Sequence, residues 1–309
     1  MQNTYILERP SCLICNSHSF KSIFKRSFNE EIIKNYMIEQ YSGNADIEFL
    51  QDVDFEILKC TKCDFAFQSL ILTDEKLNEL YDKWIDPVGA KEWHFNNGGG
   101  GDIRVNYYKN LLEYAKIYLK KDFEKIKFLD YGAGFGDSFL ASKQLGIDSY
   151  AIEYSAERIQ FLKEQGVHVI DNDDKTLFDF IIVDQILEHT TYPGEFLDNI
   201  YSKLNDNGLV YLAVPNCHSL EKKLKNVDDI LDAKELHNKL FNASVGAFQH
   251  INFFNNSTLE TLVKKHRFEV IFPLKHPFIK PVTLKSFLRP FYHYYYGTVF
   301  FLKKNTSNK

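Results

Sequence analysis

The chain has 309 residues, 44% hydrophobic and 26% charged, with a net charge of -5. That length suffices for one α/β domain plus a small satellite, and the charge excludes a global basic field of the kind that binds nucleic acid. No apolar stretch reaches the ~18 residues of a spanning helix, and MQNTYILERPSC lacks the apolar core of a leader, so a cytoplasmic protein is expected.

In chain order, the first signal is cysteine. Four of the five cysteines form two C-x-x-C pairs, Cys12/Cys15 and Cys60/Cys63. In a reducing compartment such pairs favour metal over disulfide, and four thiolates suit a closed tetrahedral zinc that is structural. Disulfides and a nucleic-acid-binding zinc ribbon are the alternatives; acidic residues between Asn44 and Asp54 speak against the second. The separation of the pairs requires a folded insert between Asn16 and Lys59. Residues 1–70 are therefore expected to be a zinc-binding domain with an insert, stapled because its own core is thin.

Residues 71–125 read as a helical linker and cofactor-covering segment. The run Asn96-Asn97-Gly98-Gly99-Gly100-Gly101 predicts a flexible loop, either a hinge or a passive linker. From Asp102 to Lys121 the apolar spacing is helical (Ile103, Tyr107, Leu111, Tyr114, Ala115, Tyr118).

From residue 126 onward strands and helices alternate. Strands are predicted at 127–130, 149–153, 167–170, 178–184 and 209–214, and helices at 136–145, 155–165 and 193–204. Ser155 is the expected N-cap of the second helix and Gly166 its stop. Phe178 to Asp184 (FDFIIVD) is apolar on both faces, as a central parallel strand should be. The order is that of a doubly wound parallel sheet. A helix at 257–266, a strand at 268–274 and a last strand at 297–303 follow. Inserts at 216–256 and 276–296 are expected to build the substrate site.

The loop Asp130-Tyr131-Gly132-Ala133-Gly134-Phe135-Gly136 joins the first strand to its helix. Glycines there permit a tight turn and close approach of a ligand to the helix N-terminus. A dinucleotide pyrophosphate and the methionine carboxylate of S-adenosylmethionine both suit such a place. The spacing is G-x-G-x-G rather than the dinucleotide G-x-G-x-x-G, and Asp130 suits an ammonium group. Glu153, ending the second strand, is placed to accept the hydroxyls of a ribose; otherwise it is a solvated strand end. Asp171 and Asn172 end the third strand and face an adenine edge. Asp184 and Gln185 end the fourth and are candidates for cofactor contact.

These residues resemble class I S-adenosylmethionine-dependent methyltransferases. FLDYGAGFGDSFL is similar to their first motif, and AIEYS to the second. FDFIIVDQILEHTTYPGEFLDNIYSKLNDNGLVYLAVPN is similar to their strand-four to strand-five block, and QHINFFNNSTLETLVKKHRFEV to a late segment. The resemblance runs from Asp102 to Lys275. It implies a Rossmann-like sheet, mostly parallel with the last strand antiparallel, and residues 126–309 as the methyltransferase domain. CLIC and CTKC resemble the zinc-binding head of bacterial sugar-modifying methyltransferases. That implies a saccharide or nucleotide-sugar acceptor in surface-polysaccharide biosynthesis. The C-terminal domain of the C-methylating relatives is not found here, which favours transfer to oxygen. A nicotinamide-dependent oxidoreductase and a non-catalytic zinc module are the competing readings.

Methyl transfer to a hydroxyl benefits from a general base. His189 is one candidate, with Glu188 orienting it or binding substrate; His250 is the other. Each has the alternative of a packing role. His218 and His237 are weaker, because each lies in a polar stretch. Cys217 reads as a buried thiol. After Glu269 the chain carries Lys and Arg but no Asp or Glu, together with Phe287, Phe291, Tyr292, Tyr294, Tyr295 and Tyr296. These rings and cations suit a sugar phosphate, a weak contact with an anionic membrane surface, or plain packing on the sheet.

Overall fold

Strand and helix alternate in the second half of the chain because apolar runs too short for helices are separated by amphipathic stretches bounded by glycine. The structure, a computed structural model, describes residues 4–86, 89, 91, 92, 94, 101–271 and 298–305. It divides into two units. One comprises Met1–Ala90, Leu187–Pro193 and Pro215–Leu259; the other comprises Lys91–Ile186, Gly194–Val214 and Glu260–Lys309.

The second of these holds a seven-stranded sheet. Its strands are β1 (Lys127–Tyr131), β2 (Asp148–Ile152), β3 (His168–Val169), β4 (Phe178–Asp184), β5 (Leu204–Val214), β6 (Phe268–Ile271) and β7 (Thr298–Lys304). Their order is β6-β7-β5-β4-β1-β2-β3. Strands β1 to β5 pair in parallel, and β7 runs antiparallel to both β5 and β6. The helices are α1 (Asp102–Leu119), α2 (Asp137–Leu145), α3 (Ala156–Glu164) and α4 (Pro193–Lys203). All residues of β4 but Asp184 are buried, as a strand covered on both faces requires. Leu111, Leu112 and Ala115 of α1 pack with Phe128, Phe180, Ile182 and Tyr211 of the sheet. The expected elements are present among the described residues with shifted ends: the third strand shortens to His168–Val169, and the strand expected at 268–274 is described only to Ile271. Strand β5 begins at Leu204, across an irregularity before Leu209. Ser155 occupies the N-cap of α3, but its side chain makes no capping bond; its N–H goes to Glu153 Oε1 instead.

The other unit contains a four-stranded antiparallel sheet in the order Asn252–Phe253, Ala66–Gln68, Asp54–Cys60, Phe20–Ser27. The insert between the cysteine pairs is folded, with strand Phe20–Ser27, helix Glu31–Gln40 and strand Asp54–Cys60. Its core is aromatic: Phe24, Phe28, Tyr36, Tyr41, Phe55, Trp84, Phe248 and Phe253 are buried together. This grouping differs from contiguous blocks 1–70, 71–125 and 126–309, because Leu187–Pro193 and Pro215–Leu259 cluster with the N-terminal segment. The 276–296 insert and the basic aromatic stretch lie outside the described residues, as does Asn96–Gly100. Among the described residues no helix is long and apolar enough to cross a membrane.

Candidate active site

Strand β1 delivers Asp130 and Tyr131 to the start of the glycine loop. Gly132, Gly134 and Gly136 have φ of +81°, +56° and +80°, a region that costs an L side chain about 1–2 kcal/mol. At Gly132 space is also missing, since a Cβ would sit 2.2 Å from Ile186 Cδ1. At Gly134 a Cβ would meet nothing within 4 Å, so the outer side of the loop is open to an approaching group.

Four carboxylates gather at this loop. Asp130 is buried and accepts the Ser138 hydroxyl; burial pushes its carboxyl up to about 7. Asp184 accepts the Tyr108 hydroxyl at 2.9 Å, and burial raises its pKa as well. Glu153 holds the loop in shape: Oε2 accepts from Gly134 N at 2.9 Å, and Oε1 from the N–H groups of Tyr154 and Ser155. Asp137, the first residue of α2, pairs with Arg104 Nε at 3.0 Å. Arg104 also donates to Tyr108 Oη and stands 3.9 Å from Asp184. Sequence reasoning missed Arg104, Tyr108 and Asp137. The available signal was the i, i+4 spacing of Arg104 and Tyr108 on one face of α1.

On the other side of the loop the Tyr131 hydroxyl donates to Asn172 Oδ1 at 2.7 Å and contacts the Tyr154 hydroxyl at 2.8 Å. Asn199 donates to the same Asn172 oxygen. Asp171 is exposed beside them. Gln185 is exposed, with φ +58° and its N–H donated to Ala213 O. A non-glycine residue in that region, next to Asp184, marks a locally strained turn.

The residues expected to move protons lie in the first unit. His189 and His250, read separately in the sequence, are brought together with ring centroids 4.7 Å apart. His189 Nε2 lies 3.7 Å from Oε1 of Glu188, which is 1% exposed. His189 Nδ1 is 2.8 Å from Gln249 O, and His250 Nδ1 is 2.9 Å from Ser244 O. In the tautomers that donate along these contacts, both Nε2 atoms keep their lone pairs. Burial, then the adjacent His250, pushes His189 down to about 3; burial lowers His250 too. Both imidazoles are therefore neutral and able to accept a proton on Nε2, while a pKa of about 3 makes His189 a weak base beside one tuned to neutral pH. His237 instead packs against Tyr36 and Phe241. Cys217 is buried, and burial pushes its thiol up to about 12.

The four remaining cysteines converge. Cys12 and Cys63 sulfurs are 3.5 Å apart, Cys15 and Cys60 sulfurs 3.6 Å, and all four lie within 4.8 Å of one another. Zinc–thiolate bonds near 2.3 Å in a tetrahedron separate sulfurs by roughly 3.8 Å, so the set fits a metal after small adjustments. All are free thiols. The two knuckles match: Asn16 N bonds Cys12 O, Asp64 N bonds Cys60 O, and Asn16 and Asp64 both have positive φ.

A family model described as "Methyltransferase domain" matches residues 104–271. The "Ubiquinone biosynthesis O-methyltransferase" of Pelagibacter ubique (strain HTCC1062) is 30% identical over 156 residues, 46% of this chain and 63% of that protein, so the chain spans less than two thirds of this curated relative. Among solved structures, the plantazolicin methyltransferase BpumL in complex with SAH is similar at TM-score 0.47 and 18% identity, over 74% of this chain and 94% of that one. PKMT2 from Rickettsia typhi in complex with AdoHcy is similar at TM-score 0.44 and 14% identity, over 64% and 54%.

Proposed function

This chain belongs to the methyltransferase domain family, and from that premise we propose that it is an S-adenosylmethionine-dependent methyltransferase acting on a hydroxyl of a saccharide or nucleotide-sugar. The observation that carries the cofactor is the acidic surround of the glycine loop. Asp130, Asp137, Glu153 and Asp184 face one another with Arg104 as their close cation. A sulfonium and an ammonium are attracted there, whereas a pyrophosphate is repelled.

Bound there, the cofactor supplies an activated methyl group. Asp130 and Asp184 would compensate its cationic centres, Arg104 would hold its carboxylate, and Glu153 would accept its ribose hydroxyls. Asn172 and Asp171 would address the adenine, and Gln185 would complete the turn beside Asp184. His189, with Glu188 beside it, or His250 would accept the hydroxyl proton of an acceptor on Nε2. Transfer to oxygen draws support from the name of the Pelagibacter relative, and the saccharide from the resemblance of the cysteine pairs. A zinc held by Cys12, Cys15, Cys60 and Cys63 has no open position and is structural.

Calorimetry on the whole chain tests the cofactor: saturable binding of S-adenosylhomocysteine and none of NAD is expected. The reverse result overturns the proposal. Methyl-labelled S-adenosylmethionine offered with a panel of nucleotide-sugars tests the acceptor, and label in none of them defeats that class alone.

A further inference from the structure

Two buried polar side chains in the first unit belong neither to the cysteine cluster nor to the histidine pair. Arg9 precedes the Cys12 knuckle by three residues and is 5% exposed. Its Nη1 donates to Ile251 O at 2.9 Å and to Asn252 Oδ1 at 3.0 Å, and its Nη2 reaches Thr191 O at 3.4 Å. Asn252 in turn donates to Leu187 O and Thr190 O. One guanidinium thus ties the segment around His189 to the segment after His250.

Gln68 stands five residues beyond Cys63 and is 1% exposed. Its Nε2 donates to Gly246 O at 2.7 Å and His250 O at 2.8 Å, its Oε1 accepts from Phe248 N at 3.0 Å, and its backbone N–H goes to Ile251 O. It grips the turn that presents both His250 and the carbonyl of Gln249, to which His189 Nδ1 points. A buried guanidinium bonded to neutral oxygens is costly to keep, and packing alone needs no planar fork at that place. The carbonyl that accepts from one imidazole nitrogen fixes the tautomer, so groups that hold that carbonyl in place act on the ring.

We propose that Arg9 and Gln68 are positioning residues that transmit the geometry of the four-cysteine cluster to the His189–His250 pair, holding both imidazoles with Nδ1 protonated and Nε2 free. Neither touches a reacting atom; they act through the histidines. This rests on the reading of those histidines as the proton-accepting pair.

Histidine tautomers are read directly by long-range 1H–15N NMR of the full chain, assigned with single His→Gln variants. In the wild type, His189 and His250 are expected as Nδ1–H tautomers. In Arg9→Lys, which keeps the charge but loses the fork, and in Gln68→Met, both signals move towards mixed tautomers. His168 and His266 of the other unit stay unmoved. Zinc content and S-adenosylhomocysteine affinity stay within twofold of wild type. Unmoved His189 and His250 signals in both variants overturn the proposal. If neither variant folds, the apolar replacement Arg9→Met decides: the same two signals must move, and their constancy overturns the proposal equally. A wild type that binds no S-adenosylhomocysteine sinks the proposed function, while the tautomer arm still reports on Arg9 and Gln68.

Discussion

The two units solve the problem of placing polar groups in opposite ways. The sheet unit places its carboxylates by local rule: Asp130 is the last residue but one of β1, Asp184 ends β4 and Asp137 begins a helix, each beside a turn that the sheet dictates. The other unit is stitched from three stretches of chain, and its functional groups meet only because buried side chains cross between those stretches. A site of the first kind is tuned by the turn; one of the second kind depends on distant anchors.

Zinc withdrawal should separate them most sharply. Structural zinc contributes on the order of 10 kcal/mol to small domains, so chelation, or Cys60→Ser, is expected to abolish amide protection in the strands Phe20–Ser27, Asp54–Cys60 and Ala66–Gln68. Protection in β1, β4 and β5 persists. Hydrogen exchange with and without metal measures this, and equal loss in both units removes the distinction. Next in size is the glycine loop. Gly132→Val puts a branched side chain at φ +81° against Ile186 and should cost at least 100-fold in S-adenosylhomocysteine affinity by calorimetry, with the cysteine unit unchanged.

This contrast also explains what was legible in the sequence. The sheet, its helices, the glycine turn and Glu153 follow from local periodicity and spacing, and the cysteine pairs from theirs. Arg104 escaped notice because a single cation on an amphipathic helix looks solvated until Asp137 and Asp184 are seen beside it. His189 and His250 were each visible, but their encounter was not, since 60 residues of chain separate them and no periodicity encodes it. Arg9 and Gln68 are lone polar residues beside knuckles; only burial reveals them.

Smaller, and confined to the sheet unit, is the effect of Asp130. Its carboxyl is pushed up to about 7 by burial, against an unfolded value near 3.9. Between those values the folded state holds a proton that the unfolded state has lost, so stability falls as pH rises and levels off above about 7. Asp130→Asn removes this penalty. At pH 8 the cofactor-free protein should gain at most about 4 kcal/mol, read as a higher midpoint in urea. S-adenosylhomocysteine binding should weaken roughly tenfold because the carboxylate facing the ammonium is gone.

An effect of the opposite sign belongs to the stitched unit. His189 is held neutral by burial and by His250, with its pKa down to about 3; an unfolded histidine titrates near 6.5. Below that value the unfolded chain takes up a proton that the folded one refuses. Stability is therefore fully present above about 6.5 and is lost as pH falls towards 3, at no more than about 1.4 kcal/mol per pH unit for one group. His189→Gln deletes that slope and leaves the alkaline slope of Asp130 untouched. Residue-resolved hydrogen exchange between pH 4.5 and 8 should show the amides of Ala66–Gln68 losing protection on acidification in the wild type and less so in His189→Gln. Amides of β1 should change in the other direction. A shared slope in both units would mean that burial of the imidazole and burial of the carboxyl are not the independent events their separate cores imply.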